Sequence, residues 1–152
     1  MDLFIIRHGE AVDGYPDSHR KLSDFGKTQV ALTALEHLDI MAEIEVVFSS
    51  PYTRATQTTD LFLEQLSEKN SLEINQFDDL MPLGEIMSVV SLLQKHHSRV
   101  VLLVAHMPIL GGLIDYLTGE QGTHLGTASL ASLSMDFPAR DMATLNWIHD
   151  AD

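Results

Sequence analysis

The chain contains no cysteine among its 152 residues. Disulfides, thiolate nucleophiles and sulfur-based metal sites are thereby excluded, while the compartment stays open because many exported proteins also lack cysteine. Positive charge is scarce as well: nine Lys and Arg stand against 22 Asp and Glu, a formal net charge of -13. Nonspecific association with nucleic acid or an anionic membrane needs a positive footprint, so neither is expected as a partner. No apolar run approaches the length of a membrane-spanning helix. Arg7 and His8 interrupt the amino terminus before an apolar stretch of signal-peptide length can form, and a cytoplasmic location is the expectation. Internal repeats, low-complexity tracts and linkers are absent from the sequence. A chain of this length builds one substantial core and not two, so a single domain over 1–152 is expected.

The few arginines are placed unevenly. There are five, and Arg7, Arg20 and Arg54 fall in or beside three segments that share one local pattern. Arg7-His8-Gly9-Glu10 ends the apolar run Leu3 to Ile6. Ser49-Ser50-Pro51-Tyr52-Thr53-Arg54-Ala55-Thr56-Gln57-Thr58 follows Val46-Val47-Phe48. Val104-Ala105-His106-Met107-Pro108 closes Val100 to Ala105, the most apolar run in the chain. Each is a short continuous apolar segment giving way to polar residues and a loop or helix-start signal, the pattern of a buried strand entering a loop or helix.

The same reading extends along the chain. Ser23 is placed to cap a helix to about Leu38, weakened at its start by Gly26, with Leu32, Leu35 and Leu38 on its inner face. Ser50 and Pro51 supply N-cap and first-turn signals for a helix to about Leu66. Strands are expected at Glu45 to Ser49 and Glu73 to Phe77, and a helix from about Glu85 to His97. Pro108 favours a further helix through Leu110, Leu113, Ile114 and Leu117 that ends near Gly119. Leu130 to Met135 and Thr144 to Ile148 complete the strands, with one antiparallel member. Alternation of strands and helices predicts an α/β domain, a three-layer α/β/α sandwich around a mostly parallel sheet. Such sheets bind ligands beyond the carboxyl ends of their strands, where His8, Ser49 and His106 fall.

These residue types suit phosphoryl chemistry. Imidazole is a competent nucleophile near neutral pH, and a strand end holds His8 rigidly. Arg7 and Arg54 offer planar guanidinium donors to phosphoryl oxygens, and their charge lowers the pKa of His8 and keeps it neutral for attack. Arg54 falls in a first helical turn, where free amides and the helix dipole favour an anion. His106 is placed to donate to developing phosphoryl charge. Taken singly, each has an ordinary alternative: a structural histidine, a surface salt bridge, a satisfied buried imidazole. His8 and His106 would suit a metal, but no third ligand stands at a telling spacing, and no metal or other cofactor is expected. Glu10, Asp17, Ser18 and His19 form a polar loop at the rim.

The three segments together resemble the histidine phosphatase superfamily, also called phosphoglycerate mutase-like. Within it the short chain, Arg20-Lys21-Leu22-Ser23, Pro82-Leu83-Gly84-Glu85 and Ala105-His106-Met107-Pro108-Ile109-Leu110-Gly111 are similar to the SixA-type phosphohistidine phosphatases, and the likeness spans nearly the whole chain. The resemblance implies a metal-independent hydrolase in which His8 is transiently phosphorylated. Arg7, Arg54 and His106 match the family's phosphate pocket, and Arg20 matches a further basic residue. Larger members place a general acid in a segment corresponding loosely to Phe77 to Glu85, which makes Asp78, Asp79 and Glu85 candidates, Asp79 foremost. The segment Thr58 to Leu80 leaves little room for the cap that covers the pocket in larger relatives. The implied substrate is the histidine-phosphorylated phosphotransfer domain of a sensor kinase in a two-component relay, met by a monomer. A small phosphomonoester is the alternative, and a noncatalytic phosphoprotein-binding module is the reading from another class.

Overall fold

In the computed structural model, which describes residues 1–65 and 72–151, the apolar runs become the strands of one six-stranded sheet. The strands are β1 (Asp2–Arg7), β2 (Val46–Ser49), β3 (Glu73–Gln76), β4 (Val100–Ala105), β5 (Leu130–Met135) and β6 (Ala143–His149). Their order is β3-β2-β4-β1-β5-β6. Neighbours from β3 to β1 are parallel, and β5 runs antiparallel to both β1 and β6. The sheet thus has the single antiparallel member expected, and β4, the most apolar run, lies in its interior between β1 and β2.

Five helices cover the two faces: α1 (Asp24–Glu36), α2 (Leu38–Met41), α3 (Thr53–Leu63), α4 (Ile86–Lys95) and α5 (Ile109–Thr118). Alternation along each strand sends successive side chains to opposite layers. Leu3, Ile5, Val101 and Leu103 join Val89, Leu93, Leu110 and Leu113 of α4 and α5 in one core. Phe4, Ile6, Leu102 and Val104 join Val30, Ala34, Met41 and Phe62 of α1, α2 and α3 in the other. The three-layer α/β/α arrangement is therefore present, and α5 stops where expected, on Gly119 at φ 82, a left-handed backbone that glycine adopts without strain.

Two expectations are corrected. Leu32, Leu35 and Leu38 do not line an inner face of α1; they are 50%, 51% and 42% exposed. The buried residues of α1 are Gly26, Gln29, Val30, Thr33 and Ala34. This face is partly polar because its polar groups satisfy backbone across the packing: Gln29 Oε1 accepts from Glu10 N at 3.0 Å, and Thr33 Oγ1 donates to Ala128 O at 2.9 Å. Gly26 is required by proximity, since a Cβ there would lie 2.0 Å from Glu10 O. The second correction concerns α3, which begins at Thr53 with Tyr52 as its N-cap. Ser50 is not the cap, because its hydroxyl accepts from Tyr52 N and meets His106. The expected end of this helix at Leu66 lies outside the described residues. Among those residues, no helix is long and apolar enough to cross a membrane.

Candidate active site

Parallel pairing of β2, β4 and β1 brings three strand ends side by side. Arg7 is in register with Ala105, and Ser49 with Val104, so His8, His106 and Ser50 emerge on the same edge. The His8 and His106 rings face each other with centroids 4.9 Å apart. Arg54, in the first turn of α3 and only 4% exposed, reaches across to His8. These residues line a pocket of about 310 Å³ together with Arg7, Arg20 and Asp17. A larger, shallow depression of about 860 Å³ lies at the opposite end of the strands, lined by Met1, Asp2, Glu45 and Arg99 among others; it holds no histidine.

Hydrogen bonding fixes the reactive atom of His8. Its Nδ1 lies 2.7 Å from Gly9 O, and a carbonyl only accepts, so Nδ1 carries the proton. The lone pair is then on Nε2, where Arg54 Nε donates at 3.3 Å. Burial lowers the His8 pKa to about 4, with Arg54, Arg7 and Arg20 adding to the effect against the opposing Gly9 bond. The lowering expected from the arginines occurs, but desolvation is the larger cause.

His106 has two tautomers open to it. Ser50 Oγ accepts from Tyr52 N at 3.2 Å and lies 2.8 Å from His106 Nε2, where its second lone pair can accept or its own proton can be donated. His106 Nδ1 is buried and has no partner among the described residues; when Ser50 donates to Nε2, Nδ1 carries the hydrogen. Arg7 Nε is in the same position, although Arg7 NH1 donates to Leu125 O at 2.9 Å. Buried polar nitrogens without partners are costly in a finished fold, and in that tautomer these two are donors available to an oxyanion in the pocket. Burial, then the His8 and Arg54 neighbours, lower the His106 pKa to about 2, which favours the neutral imidazole.

Asp17 was legible in the sequence only as part of a polar loop, yet it is the counter-ion of the pocket. Its carboxylate accepts from Arg20 NH1 and Arg54 NH2, each at 3.1 Å, and its carbonyl accepts from Arg54 NH1 at 2.7 Å. Hydrogen bonding to Arg20, then to Arg54, holds Asp17 below the usual carboxylate range. Arg20 is thus at the pocket, 29% exposed, and is anchored through Nε to Val12 O. Thr58 is a second residue the motif pattern left without a role: its hydroxyl accepts from Gly9 N and donates to Arg54 O, tying the His8 loop to α3.

Asp79 lies elsewhere. Its Oδ1 accepts from Glu85 N at 3.3 Å, and it lines a separate groove with Met87 and Leu92 rather than the histidine pocket. Asp78 and Glu85 are likewise absent from that pocket, whose carboxylates are Glu10 and Asp17. Glu10 Oε1 accepts from Ser23 Oγ at 2.9 Å. Among the described residues no third metal-ligating side chain joins His8 and His106; the one close group of three is Glu36, His37 and His149, outside the pocket.

Fold and pocket together define an α/β protein that can hold a tetrahedral oxyanion among guanidinium and imidazole groups, against an unprotonated imidazole nitrogen. The sequence profile of the histidine phosphatase superfamily (branch 1) matches residues 3–83. Across 152 residues, 97% of this chain and 92% of the other, the sequence is 33% identical to the phosphohistidine phosphatase SixA of Escherichia coli (strain K12). It is 31% identical over 134 residues to a SixA homolog of Haemophilus influenzae, covering 80% of this chain and 79% of that one. The solved structure of the protein histidine phosphatase SixA complexed with tungstate superposes with a TM-score of 0.88 at 32% identity, over 99% of this chain and 97% of that one. The chain belongs to the histidine phosphatase superfamily, with the phosphoglycerate mutase-like fold. It is a phosphatase of SixA-like sequence.

Proposed function

We propose that the protein hydrolyses phosphohistidine on a histidine-containing phosphotransfer domain through a phospho-His8 intermediate. The observation that carries this reading is the pair of partnerless buried nitrogens, Arg7 Nε and His106 Nδ1, on residues that share a pocket with His8, whose Nε2 is unprotonated. In the first step His8 Nε2 attacks phosphorus as the substrate's N–P bond breaks, and the departing imidazole keeps the bonding pair. An imidazole already protonated on its distal nitrogen leaves as a neutral molecule, so the step needs no acid in the pocket. Arg54 turns from His8 Nε2 to a phosphoryl oxygen, and Arg7 and His106 donate to the others. Water then attacks the phospho-His8 phosphorus, releasing phosphate and restoring the imidazole.

Three cationic or polar donors meet the charge that a divalent ion meets in other phosphotransfer sites, so the reaction proceeds without metal. The tungstate bound by the SixA relative is a tetrahedral oxyanion of the kind these donors would hold. The short segment Thr58 to Leu80, expected to leave little room for a cap, favours a protein substrate over a small one. Leu83, 88% exposed, adjoins the pocket-lining Pro82 in sequence, and Tyr15, 97% exposed, lies two positions from Asp17. They place apolar contact area where a docked protein would meet the rim. A cytoplasmic monomer meeting the phosphotransfer domain of a sensor kinase fits this reading.

The test is phosphate loss from a histidine-phosphorylated phosphotransfer domain, compared with a panel of small phosphomonoesters, with His8→Ala as the control. Fast loss from the protein that requires His8 supports the proposal. Monoester turnover that matches or exceeds it would move the protein to metabolite chemistry, and turnover in His8→Ala would overturn the nucleophile.

A further inference from the structure

The carboxyl end of α1 and the last residue of β6 bring together three ligating side chains that the phosphatase site does not use. Glu36 ends α1, His37 follows it, and His149 ends β6. One ligand atom from each lies within 4.8 Å of the other two. His37 Nε2 and His149 Nδ1 are 2.6 Å apart, and His149 Nε2 is 3.0 Å from Glu36 Oε2. With His149 donating from Nε2 to the carboxylate, its Nδ1 carries a lone pair, and a single proton from His37 stands between the two rings. That proton occupies the position a cation would take.

We infer that Glu36, His37 and His149 bind a divalent zinc ion that ties the end of α1 to the edge strand β6. Two imidazole nitrogens and one carboxylate, with a fourth position open to water, are a donor set zinc accepts tetrahedrally. Bonds of about 2.0–2.1 Å at tetrahedral angles set the two nitrogens roughly 3.3 Å apart. The rings therefore open by well under 1 Å, and the exposed Glu36 carboxylate leaves His149 Nε2 and closes by up to about 1.5 Å onto the ion, shifts that side chains at the surface accommodate by torsion. His37 is already oriented: its ring stacks on Trp147 with centroids 5.2 Å apart and planes 11° from parallel. Asp39 and the net charge of -13 also make the surroundings favourable to a cation and hostile to an anion.

Trp147 is the chain's one tryptophan, so its fluorescence reports on the ring stacked against it. The experiment is titration of the purified full-length protein with zinc chloride in phosphate-free buffer, followed by Trp147 fluorescence and by equilibrium dialysis for stoichiometry. Wild type, His149→Gln, Glu36→Gln and His106→Gln are compared, each checked for folding by circular dichroism. One zinc per chain is expected in wild type and in His106→Gln, with a saturable change in fluorescence. Affinity should fall at least about tenfold in His149→Gln and Glu36→Gln. Thermal unfolding should shift up with zinc in wild type and His106→Gln only. Unchanged binding in His149→Gln, loss of binding in His106→Gln, or no uptake at micromolar zinc in wild type would each overturn the site.

Discussion

Lowering the pH from 7 to 5 should destabilise the folded protein through its two pocket histidines by about 4 kcal/mol, roughly 2 kcal/mol for each. The ordinary histidine pKa of 6.5 falls to about 4 for His8 and to about 2 for His106, in both cases chiefly through burial. Between 6.5 and these values the unfolded chain binds protons that the folded chain refuses. Stability is thus fully present above the unfolded value, is lost as pH falls through 6.5, and levels off only below the folded values. A small domain typically has about 5–15 kcal/mol in total, so acid unfolding overtakes protonation of His106 in the native state. The assay is urea unfolding at pH 7, 6 and 5 on wild type and His106→Gln, with the slope m checked for constancy. The interval lies above the ordinary carboxylate range, so acid titration of Asp and Glu contributes little. Gln keeps a polar atom near Ser50 but does not titrate, and the loss between pH 7 and 5 should shrink by about 2 kcal/mol in that variant. An equal pH dependence in the two proteins would refute the reasoning, because His106 would then ionise alike in folded and unfolded chains.

The proposed nucleophile should show the same lowered pKa in kinetics: kcat/KM on phosphohistidine, corrected for spontaneous loss, is expected to rise as pH falls from 8 and the leaving imidazole gains its proton, and to keep its acid limb near 4. An acid limb at 6.5 would remove the desolvated His8 from the mechanism. Arg54→Ala should lower kcat by about 10²–10³ while circular dichroism is unchanged, since Arg54 contacts the nucleophile and is the donor that turns to the phosphoryl group. A near-normal rate would take it out of the site. Asp17→Asn should tighten tungstate binding about two- to fivefold by isothermal titration, because the carboxylate that now competes for Arg20 and Arg54 loses its charge. Weaker binding in that variant would mean that Asp17 organises the arginines more than it competes for them. Gly26→Ala should reduce stability in urea by about 1–3 kcal/mol, since its Cβ would meet backbone at 2.0 Å. A neutral effect would show that α1 can move away from Glu10.

Much of the sheet was legible because its cause is local. Val100 to Ala105 is apolar on both faces, and it is a strand buried on both faces. Gly119 ends α5 because a left-handed residue is needed there. The strand ends then bring His8 and His106 together, each visible as the polar residue that follows an apolar run, while at the second strand it is Ser50, one position past the expected Ser49, that meets His106. What was not legible depends on tertiary partners. Periodicity places Leu32 and Leu35 inward because apolar side chains usually lie on the buried face, but Gln29 and Thr33 win that face by bonding backbone at Glu10 and Ala128. Ser50 reads as a helix cap until His106 arrives from β4 to meet its hydroxyl. Asp17 carries no motif signal beyond its spacing of three from Arg20, and its second partner is 37 positions away.

The proton inventory of the pocket bears on which phosphates this site can cleave. A phosphomonoester leaves as an alkoxide unless an acid protonates it, and that acid must hold its proton at working pH. Asp17 cannot serve in its present state, because Arg20 and Arg54 hold its carboxylate below the usual range. Glu10 is turned to Ser23 Oγ, and Asp79 to the amide of Glu85. His106, whose pKa is lowered to about 2, is neutral at working pH, and a neutral imidazole N–H is suited to hydrogen bonding and not to proton transfer. In the proposed reaction the cationic pocket therefore stabilises charge on the transferring phosphoryl group and supplies no proton to what departs. A leaving group that carries its own proton, as a phosphorylated imidazole does, is the one this arrangement serves, and an alkoxide is the one it leaves unassisted.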